Sequence, residues 1–448
     1  MANLSAGFSR VVINPESGTP IEGYFIERKT EGILDDLEIN TLALRMGEET
    51  VLIMSMDLCQ IAQRTMIRLR ESAAEKTGVA LDHVFMCCTH THTGPFVVFD
   101  HTDPLVRSYS EKLLVWVAEA AQAAMDDLKP AKVGWGVGSC DIAHCRRLRM
   151  KDGSIRTNPG VGNPDVLEEL TPMDHRVNVV RFDQQGGVSV VIINYGTHPD
   201  SIGGNKISAD WPGFMRRTVE LAIPEARCLF LNGAEGDVGV LDIWAKGGWF
   251  NDTFNDFDDV IRGYGHSRWY GRCMAGAVLQ VYDKVNYFTP DSLKSVEHTI
   301  EVAAQLPSPE ELPEAHRIND LHLAGRDSEL GYEGMMLTTV VAEAGRMVRL
   351  EHGPESFSMP LHGVAIGKVA LIGIAGEPFT GIGTGLKETD GWDLILPVCN
   401  ADGAEGYFPM QECYDEGGYE TRSSPFKEGV AEHIIEEGKK ILREMEND

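Results

Sequence analysis

Apolar and polar positions along this chain follow two periods, one typical of strands and one typical of helices. Short apolar runs, several of them alternating with polar residues, predict strands because neighbouring side chains of a strand point to opposite faces. The pattern predicts strands at 7–13, 41–45, 50–57, 83–89, 132–138, 177–183, 188–196, 227–233, 295–304, 359–366, 368–375 and 394–399.

Apolar residues at helical spacing predict helices between these strands. The predicted helices cover 63–76, 106–128 with Pro130 as the stop, about 268–284, a segment starting at 308–311, 335–350 and 427–445. No Pro- or Gly-rich stretch divides the chain. The expected architecture is therefore a single α/β domain over residues 1–448, with α+β character and mixed β-sheets flanked by helices.

Composition narrows the classes of function. The chain has 448 residues, of which 43% are hydrophobic and 24% charged, so a large core is expected. The net charge of -28 repels nucleic-acid phosphates and anionic membranes, which excludes nucleic acid as an expected partner and favours a small-molecule substrate.

The chain shows neither a targeting segment nor a membrane span. The N-terminal residues lack a basic stretch followed by a long apolar one, and no run approaches the roughly 18 apolar residues of a membrane helix. The nine cysteines are scattered, and Cys87 and Cys88 lie in an apolar run, which is typical of buried thiols. The expected location is the reducing cytoplasm.

The first candidate chemistry follows the strand at 83–89, in Thr89-His90-Thr91-His92-Thr93-Gly94-Pro95. Residues two apart in an extended chain point the same way, so His90 and His92 could project together from the end of a strand. Neutral imidazole is a common metal ligand. Taken alone, the pair is as compatible with two exposed or capped histidines in a turn.

The same setting recurs at two later strand ends. His198 follows the strand at 188–196 in Thr197-His198-Pro199, and Glu377 follows the strand at 368–375 in Gly376-Glu377-Pro378. Together with His90 they complete a His/His/carboxylate set, which zinc hydrolases use while leaving one position for water. The alternatives are a buried histidine bonded to backbone and a carboxylate at a helix N-terminus.

Two further segments are candidates for the site. In Asn232-Gly233-Ala234-Glu235-Gly236-Asp237-Val238-Gly239, Asn232 and Asp237 could line the site or hold a second cation, or form a tight turn capped by Asp237. The aromatic stretch 241–270 could form a lid over the pocket, but core packing or a contact between copies in a homo-oligomer is the more common role of such a stretch. Its aromatic residues include Trp244, Trp249, Phe250, Phe254, Phe257 and Trp269.

These motifs resemble the neutral/alkaline (non-lysosomal) ceramidase family, in its N-terminal catalytic domain. The resemblance spans nearly the whole chain in family order. It is carried by Gly7-Phe8, Gly18-Thr19-Pro20, Gly23-Tyr24, Asp57, Thr89–Pro95, Thr197–Pro199, Asn232–Val238 and Gly376-Glu377.

The resemblance implies a zinc ion held by four side chains, which are His90, His198, Glu377 and Tyr407. It also implies that His92 contacts the scissile group, that Tyr419 is a second site tyrosine, and that Arg146 is the site arginine, with Arg147 as its rival. For the tyrosines, core packing with a bonded hydroxyl is the alternative.

The chain departs from the family in two places. Ceramidases carry a serine directly after Gly-Asp-Val, where this chain has Gly239, so a covalent serine mechanism and specificity for long-chain ceramide are not expected. Ceramidases also continue into an immunoglobulin-like domain where this sequence stops, and an extracellular role at a lipid surface is not expected.

The expected mechanism is attack of a zinc-activated water on an amide carbonyl. In it, His92 and Tyr419 stabilise the oxyanion, Arg146 binds a polar substrate group, and Asp237 acts as base or orients His90. Three alternatives stay open: ester, lactone or carbohydrate hydrolysis, a metal-dependent lyase or isomerase, and a non-catalytic binding protein. A serine hydrolase is least favoured, because the Gly-x-Ser-x-Gly motif is absent.

Overall fold

The predicted strands form two sheets that pack face to face in a computed structural model, which describes residues 3–244 and 263–447. The strands are β1 Leu4–Val12, β2 Gly32–Ile33, β3 Glu38–Met46, β4 Glu49–Met56, β5 Val84–Cys88, β6 Lys129–Ser139, β7 His144–Cys145, β8 Arg147–Met150, β9 Ile155–Thr157, β10 Val166–Glu169, β11 Arg176–Gln184, β12 Ser189–Tyr195, β13 Lys206–Ile207, β14 Ala226–Asn232, β15 Val238–Gly239, β16 Asn286–Phe288, β17 Leu293–Ala303, β18 Ser356–Ile366, β19 Val369–Ile374, β20 Glu377–Pro378, β21 Leu394–Val398 and β22 Tyr407–Phe408.

The helices lie outside the two sheets. They are α1 Gln63–Thr77, α2 Pro104–Asp126, α3 Asp210–Ala222, α4 Tyr264–Tyr282, α5 Leu312–Leu323, α6 Gly334–Leu350, α7 Thr380–Lys387, α8 Gln411–Glu416, α9 Tyr419–Ser423 and α10 Val430–Asn447. None of the helices in the described ranges combines the length and the apolar content needed to cross a membrane.

The larger sheet has nine strands in the order β14-β12-β11-β6-β1-β3-β4-β5, with β16 paired to β6. Its pairs are antiparallel except β4 with β5 and β12 with β14. The smaller sheet has the order β17-β18-β19-β21, and only β19 and β21 run parallel. The predicted α/β class with mixed sheets flanked by helices is confirmed.

The molecule is built as four layers. Phe85, Ile192 and Leu229 of the larger sheet pack against residues of the smaller one such as Leu371 and Leu396. Helices α1 and α2 cover the outer face of β3–β5, α3 and α4 cover that of β11, β12 and β14, and α7 and α10 cover the smaller sheet. Burial on both faces explains the continuous apolar runs of β5, β12 and β19, whose residues are all buried.

The larger sheet curls until its two ends approach each other. Ser55 Oγ of β4 donates to the carbonyl of Phe230 in β14 at 2.5 Å. Two residues further along β14, Asn232 Nδ2 donates to the carbonyl of Thr89, which follows β5, at 3.2 Å. The segments that follow β5 and β14 therefore meet, although six strands lie between these two strands in the sheet order.

Four helices form where the sequence pattern predicts none, namely α3, α7 and the short α8 and α9. Helix α3 contains Pro212 in its first turn, where a proline costs no helical hydrogen bond. Helix α7 contains three glycines, and a Cβ on Gly383 would lie 2.7 Å from the Cβ of Ala234. Tertiary packing therefore selects residues that a propensity scale disfavours in helices.

One predicted helix end is wrong in detail. Helix α2 ends at Asp126, and Pro130 lies in β6, where its Cα partner is Ser5 of β1. Only two residue pairs join β1 and β6, so this is a short contact that tolerates the missing N–H of proline.

Candidate metal centre

His90 and His198 follow β5 and β12 directly and are buried. The backbone of His90 has φ 73°, a left-handed conformation that costs a non-glycine residue roughly 1–3 kcal/mol. Its N–H donates to the carbonyl of Leu58 at 2.9 Å, and the N–H of His198 donates to that of Val238 at 3.3 Å. The surrounding chain therefore holds both imidazoles in place. For His90 it does so although the left-handed backbone costs conformational free energy.

Backbone carbonyls set the tautomer of both imidazoles. His90 Nδ1 donates to the carbonyl of Cys59 at 2.9 Å. His198 Nδ1 lies 3.0 Å from the carbonyl of Glu235 and 2.9 Å from that of Val238. A proton on Nδ1 leaves Nε2 with a free lone pair, which is how metal-binding histidines are commonly prepared.

Glu377 brings a carboxylate to both Nε2 atoms. Its Oε2 lies 3.5 Å from His90 Nε2 and 3.2 Å from His198 Nε2. Burial raises the pKa of Glu377, but the imidazoles of His90 and His198 outweigh burial and hold this pKa at about 2. In the parallel pairing of β20 with β22, Glu377 is the direct partner of Tyr407, so the structure brings all four residues of the implied zinc set together.

A second carboxylate, Glu235, lies in the same cluster. It is fully buried, its Oε1 lies 4.0 Å from His90 Nε2, and its Oε2 contacts His198 Nδ1. Ligand atoms of His90, His198, Glu235 and Glu377 all lie within 4.8 Å of one another. No sequence pattern indicated Glu235 as a site residue, although it lies two residues before Asp237 in the same segment.

The residues of this cluster fit a divalent cation. Within the described part of the chain, both carboxylate oxygens of Glu235 and Oε2 of Glu377 are buried without a hydrogen bond. Buried carboxylates without partners are costly, and a metal ion removes that cost. Two imidazole nitrogens with carboxylate oxygens are a donor set that Zn²⁺ accepts.

The same carboxylates attract positive charge onto His198. Burial lowers the pKa of His198 and Arg146 lowers it further, but Glu235 and Glu377 outweigh both and raise it to about 10. Such a site holds a proton or a metal ion, and metal binding releases the proton.

Asp237 lies beside the cluster with its carboxylate facing a helix. Its Oδ1 accepts hydrogen bonds from the backbone N of Thr380 at 2.7 Å and from Thr380 Oγ1 at 2.8 Å. Burial raises the pKa of Asp237, and the hydrogen bonds from Thr380 oppose that rise. Asp237 therefore fastens the start of α7, three residues after Glu377.

The two candidate arginines have different surroundings. Arg146 Nη1 lies 2.9 Å from His198 Nε2, its Nη2 donates to the carbonyl of Gly236 at 2.8 Å, and its Nε pairs with Glu420 at 2.7 Å. Arg147 instead donates to Cys413 Sγ and to the carbonyl of Gly417, each at 2.8 Å. The structure thus places Arg146 against His198 and Arg147 against α8.

The two tyrosines stand together at the edge of the cluster. The rings of Tyr407 and Tyr419 meet edge to face with centroids 5.6 Å apart, and the Arg146 guanidinium lies 5.3 Å from the Tyr407 ring centre. Burial, followed by the charge of Glu377, raises the pKa of both phenols, so both keep their protons at neutral pH.

His92 closes the other side of the cluster. Its Nε2 lies 3.2 Å from His90 Nε2, and its Nδ1 has no hydrogen-bond partner among the described residues. Burial and the neighbouring imidazoles hold its pKa well below the usual value, so it is neutral. Gly23, at φ 111°, packs against it so closely that a Cβ would lie 2.8 Å from the Cβ of His92.

A cavity of about 430 Å³ lies beside Tyr419, a volume in the range of small-molecule sites. Its lining includes Arg156, Asn158, Met335, Met336, Tyr419 and Arg422. Phe25, 46% exposed, meets the ring of Tyr419 edge to face with centroids 6.3 Å apart. Tyr419 therefore joins the cavity to the cluster of histidines.

Two other sequence expectations concern positions near this site. A Cβ on Gly239 would lie 3.8 Å from the Cβ of Arg146, so the position that carries serine in ceramidases adjoins the cluster without a hydroxyl here. In the aromatic stretch, Trp244 and Trp269 are 47% and 44% exposed. Four other aromatic residues of this stretch lie outside the described residues, so the lid stays a prediction. They are Trp249, Phe250, Phe254 and Phe257.

Comparison with known proteins identifies the fold. No protein-family model matches the chain, and no curated protein matches it. Neutral ceramidase from Pseudomonas aeruginosa is similar in structure, with a TM-score of 0.74 and 17% identity over 99% of this chain and 75% of that one. A ceramidase complexed with C2 gives a TM-score of 0.73 and 17% identity over 99% and 76%. The chain has the fold of bacterial neutral ceramidase, as the motifs implied.

Proposed function

We propose that this protein is a zinc-dependent hydrolase that cleaves an amide (N-acyl) bond of a small or amphiphilic substrate. The observation that carries the proposal is the convergence of His90, His198 and Glu377 on one buried point, with Glu377 Oε2 within 3.5 Å of both Nε2 atoms. The ceramidase fold supports the choice of an amide bond.

In this proposal His90, His198, Glu377 and Tyr407 hold the cation. When bound, zinc supplies a water of lowered pKa and a Lewis acid for the carbonyl oxygen. The carbonyl of Cys59 keeps the proton of His90 on Nδ1, and the carbonyls of Glu235 and Val238 do the same for His198. These contacts keep both Nε2 atoms available.

Arg146 and Tyr419 stabilise negative charge that develops on the carbonyl oxygen. Arg146 remains charged, because burial lowers its pKa less than Tyr407, Glu420 and Glu377 raise it. Tyr419 keeps its phenol proton and stands between the cluster and the cavity. Donors fixed in place before reaction are worth more in a buried site than in water.

His92 and Asp237 have supporting parts. Nε2 of neutral His92 lies 3.2 Å from His90 Nε2, on the side of the cluster, and hydrogen-bonds the scissile group. Asp237 positions Glu377 by fastening Thr380 at the start of α7. The cavity beside Tyr419 takes the acyl or amphiphilic part, since Met335 and Met336 offer apolar contacts and Arg156 a charged one.

The proposal is tested by elemental analysis and turnover of the purified protein. His90→Ala and His198→Ala are expected to lose zinc and amide hydrolysis together. The control is His316→Ala, which is expected to keep both, because His316 lies on α5 and pairs with Glu351. Normal zinc content in both site variants would refute the site. Zinc binding with cleavage of O-acyl but not N-acyl substrates would make the enzyme an esterase, and products without added water would make it a lyase.

A further inference from the structure

We propose that Glu235 binds the same cation directly, as a second carboxylate ligand beside Glu377. The centre then has two histidines and two glutamates, with Tyr407 at its edge. The inference deepens the proposed function, because both require a cation between His90 and His198.

The chain is built to bring Glu235 to this point. The loop after β14 packs on the loop after β12 so closely that a Cβ on Gly196 would lie 2.3 Å from the carbonyl oxygen of Ala234. On its other side, a Cβ on Gly236 would lie 2.5 Å from the carbonyl oxygen of Glu377. The N–H of Gly236 also donates to the carbonyl of Pro378 at 2.9 Å. Glu235 is thus held between the segments that carry His198 and Glu377.

Glu235 is a fully buried carboxylate that lies between the two imidazoles. Its Oε2 contacts His198 Nδ1, and its Oε1 has no hydrogen bond among the described residues. Arg146 is occupied by Glu420, by the carbonyl of Gly236 and by His198. Glu235 and Glu377 together carry two negative charges, which match a divalent cation.

The rival role is a carboxylate that only orients His198, and the contact of Glu235 Oε2 with His198 Nδ1 is compatible with that role. Two observations favour direct ligation. The Nδ1 proton of His198 already has two backbone carbonyls within 3.0 Å, so its tautomer is set without Glu235. The other oxygen of Glu235, Oε1, lies 4.0 Å from His90 Nε2. That distance suits two ligands of one ion, because ligand bonds are about 2.1 Å long.

A second carboxylate also bears on the choice of metal. Carboxylate oxygens suit Mn²⁺, whereas imidazoles suit zinc and other later transition metals. Mn²⁺ is therefore expected to compete better against Zn²⁺ in the wild type than in a variant that lacks the charge of Glu235.

The test compares Glu235→Gln with Glu225→Gln, which makes the same chemical change at an exposed residue directly before β14. Metal affinity is measured by competition, and the coordination by the visible spectrum of the protein saturated with Co²⁺. We expect Glu235→Gln to bind metal more than 100-fold more weakly, beyond the usual loss for an outer-sphere partner. Its Co²⁺ bands are expected to shift at saturation. Glu225→Gln keeps the wild-type affinity and spectrum.

A second variant guards against misfolding of the first. Glu235→Asp keeps the charge but withdraws the carboxylate, so it is expected to weaken metal binding while the metal-free protein melts near the wild-type temperature. A Glu235→Gln spectrum identical to that of wild type at saturation would overturn direct ligation by Glu235. An unchanged metal affinity would also overturn it. Neither result would contradict the proposed function. A wild-type protein that binds no metal would instead overturn the proposed function.

Discussion

At the scale of single residues, the site depends on contacts that free particular atoms. Backbone carbonyls take the Nδ1 protons of His90 and His198, and this leaves both Nε2 atoms to face Glu377. The backbone of His90 is in the left-handed conformation, with φ 73°. A strained residue at the centre of a cluster of potential ligands indicates a functional rather than a structural requirement.

Arg146 and Arg147 are adjacent in sequence and are expected to behave differently. The planar guanidinium of Arg146 reaches His198, Gly236 and Glu420 at once, which a lysine ammonium cannot do. Arg146→Lys is therefore expected to lower kcat about 100-fold, as for loss of one oxyanion donor. Arg147→Lys is expected to lower the melting temperature more than kcat, because Arg147 contacts Cys413 and Gly417.

Steady-state kinetics and thermal melting of both variants check this expectation. A larger loss of kcat in Arg147→Lys than in Arg146→Lys would show that the site arginine is misassigned.

Glu22 is expected to make stability depend on pH. Burial raises its pKa from 4.5 to about 7, while a hydrogen bond from Gln60 opposes the rise. The folded protein then holds a proton that the unfolded chain releases, so the free energy of unfolding falls as pH rises from about 4.5 to 7. Glu22→Gln removes this loss, and its melting temperature is expected to exceed that of wild type at pH 8 but not at pH 4.

Melting curves at the two pH values measure the effect. Glu48→Gln, at an exposed position, is the control and is expected to show the same difference from wild type at both. A Glu22→Gln difference that does not change with pH would contradict the expectation.

At the scale of elements, the ligands stand on loops that directly follow strands and are packed through glycines. Gly196 precedes His198 by two residues, and it faces the backbone of Ala234, next to Glu235. Asn232 adds a second tie, since its side chain accepts from the N–H of Thr197 and donates to the carbonyl of Thr89. The spacing of the ligands is therefore set by contacts between loops.

Gly196→Ala tests that spacing without removing a ligand. The new methyl group meets the carbonyl oxygen of Ala234, so the loops carrying His198 and Glu235 must separate. We expect metal affinity to fall at least about 10-fold, by analogy with the loss of outer-sphere support. Titration with zinc measures this affinity.

The control is Gly276→Ala in α4, where a Cβ meets nothing within 4 Å, and this variant is expected to bind zinc normally. Equal affinity in both variants would contradict the expectation.

At the scale of the whole molecule, the curled sheet and the second sheet bring the ligand segments together. His90 comes from one end of the larger sheet, His198 and Glu235 from the other, and Glu377 from the segment after β19 of the smaller sheet. A cation bound as proposed would link these three parts of the fold, and its binding is expected to stabilise all of them.

Removal of metal is expected to lower the melting temperature of the whole protein. A ligand present at about 1000 times its Kd adds about 4 kcal/mol to the free energy of unfolding. Dialysis against a chelator therefore lowers the melting temperature, and Zn²⁺ restores it, whereas Mg²⁺, which prefers oxygen ligands, does not. Calorimetry with elemental analysis of each sample measures this. An unchanged melting temperature in protein that has lost its metal would show that the centre is not a structural link.

Much of the fold was predictable from local pattern. Strands such as β5 and β12 are apolar runs bounded by turn residues, and helices such as α2 and α10 show a continuous helical period. Helix α7 was not predictable, because its glycines are selected by contacts with distant residues. In the site, Glu235 was missed because nothing local distinguishes it from Asp237, two residues on.

The sequence by itself determined the class of fold and the histidines and carboxylate that follow its strands, because hydrophobic period and neighbouring residues are local properties. Only the tertiary structure decided that Glu235 faces the imidazoles, that Asp237 faces Thr380, and that Arg146 rather than Arg147 touches His198. Each of these depends on the direction of a side chain after the sheet has curled. That direction is set by contacts between residues far apart in the chain, which no local pattern records.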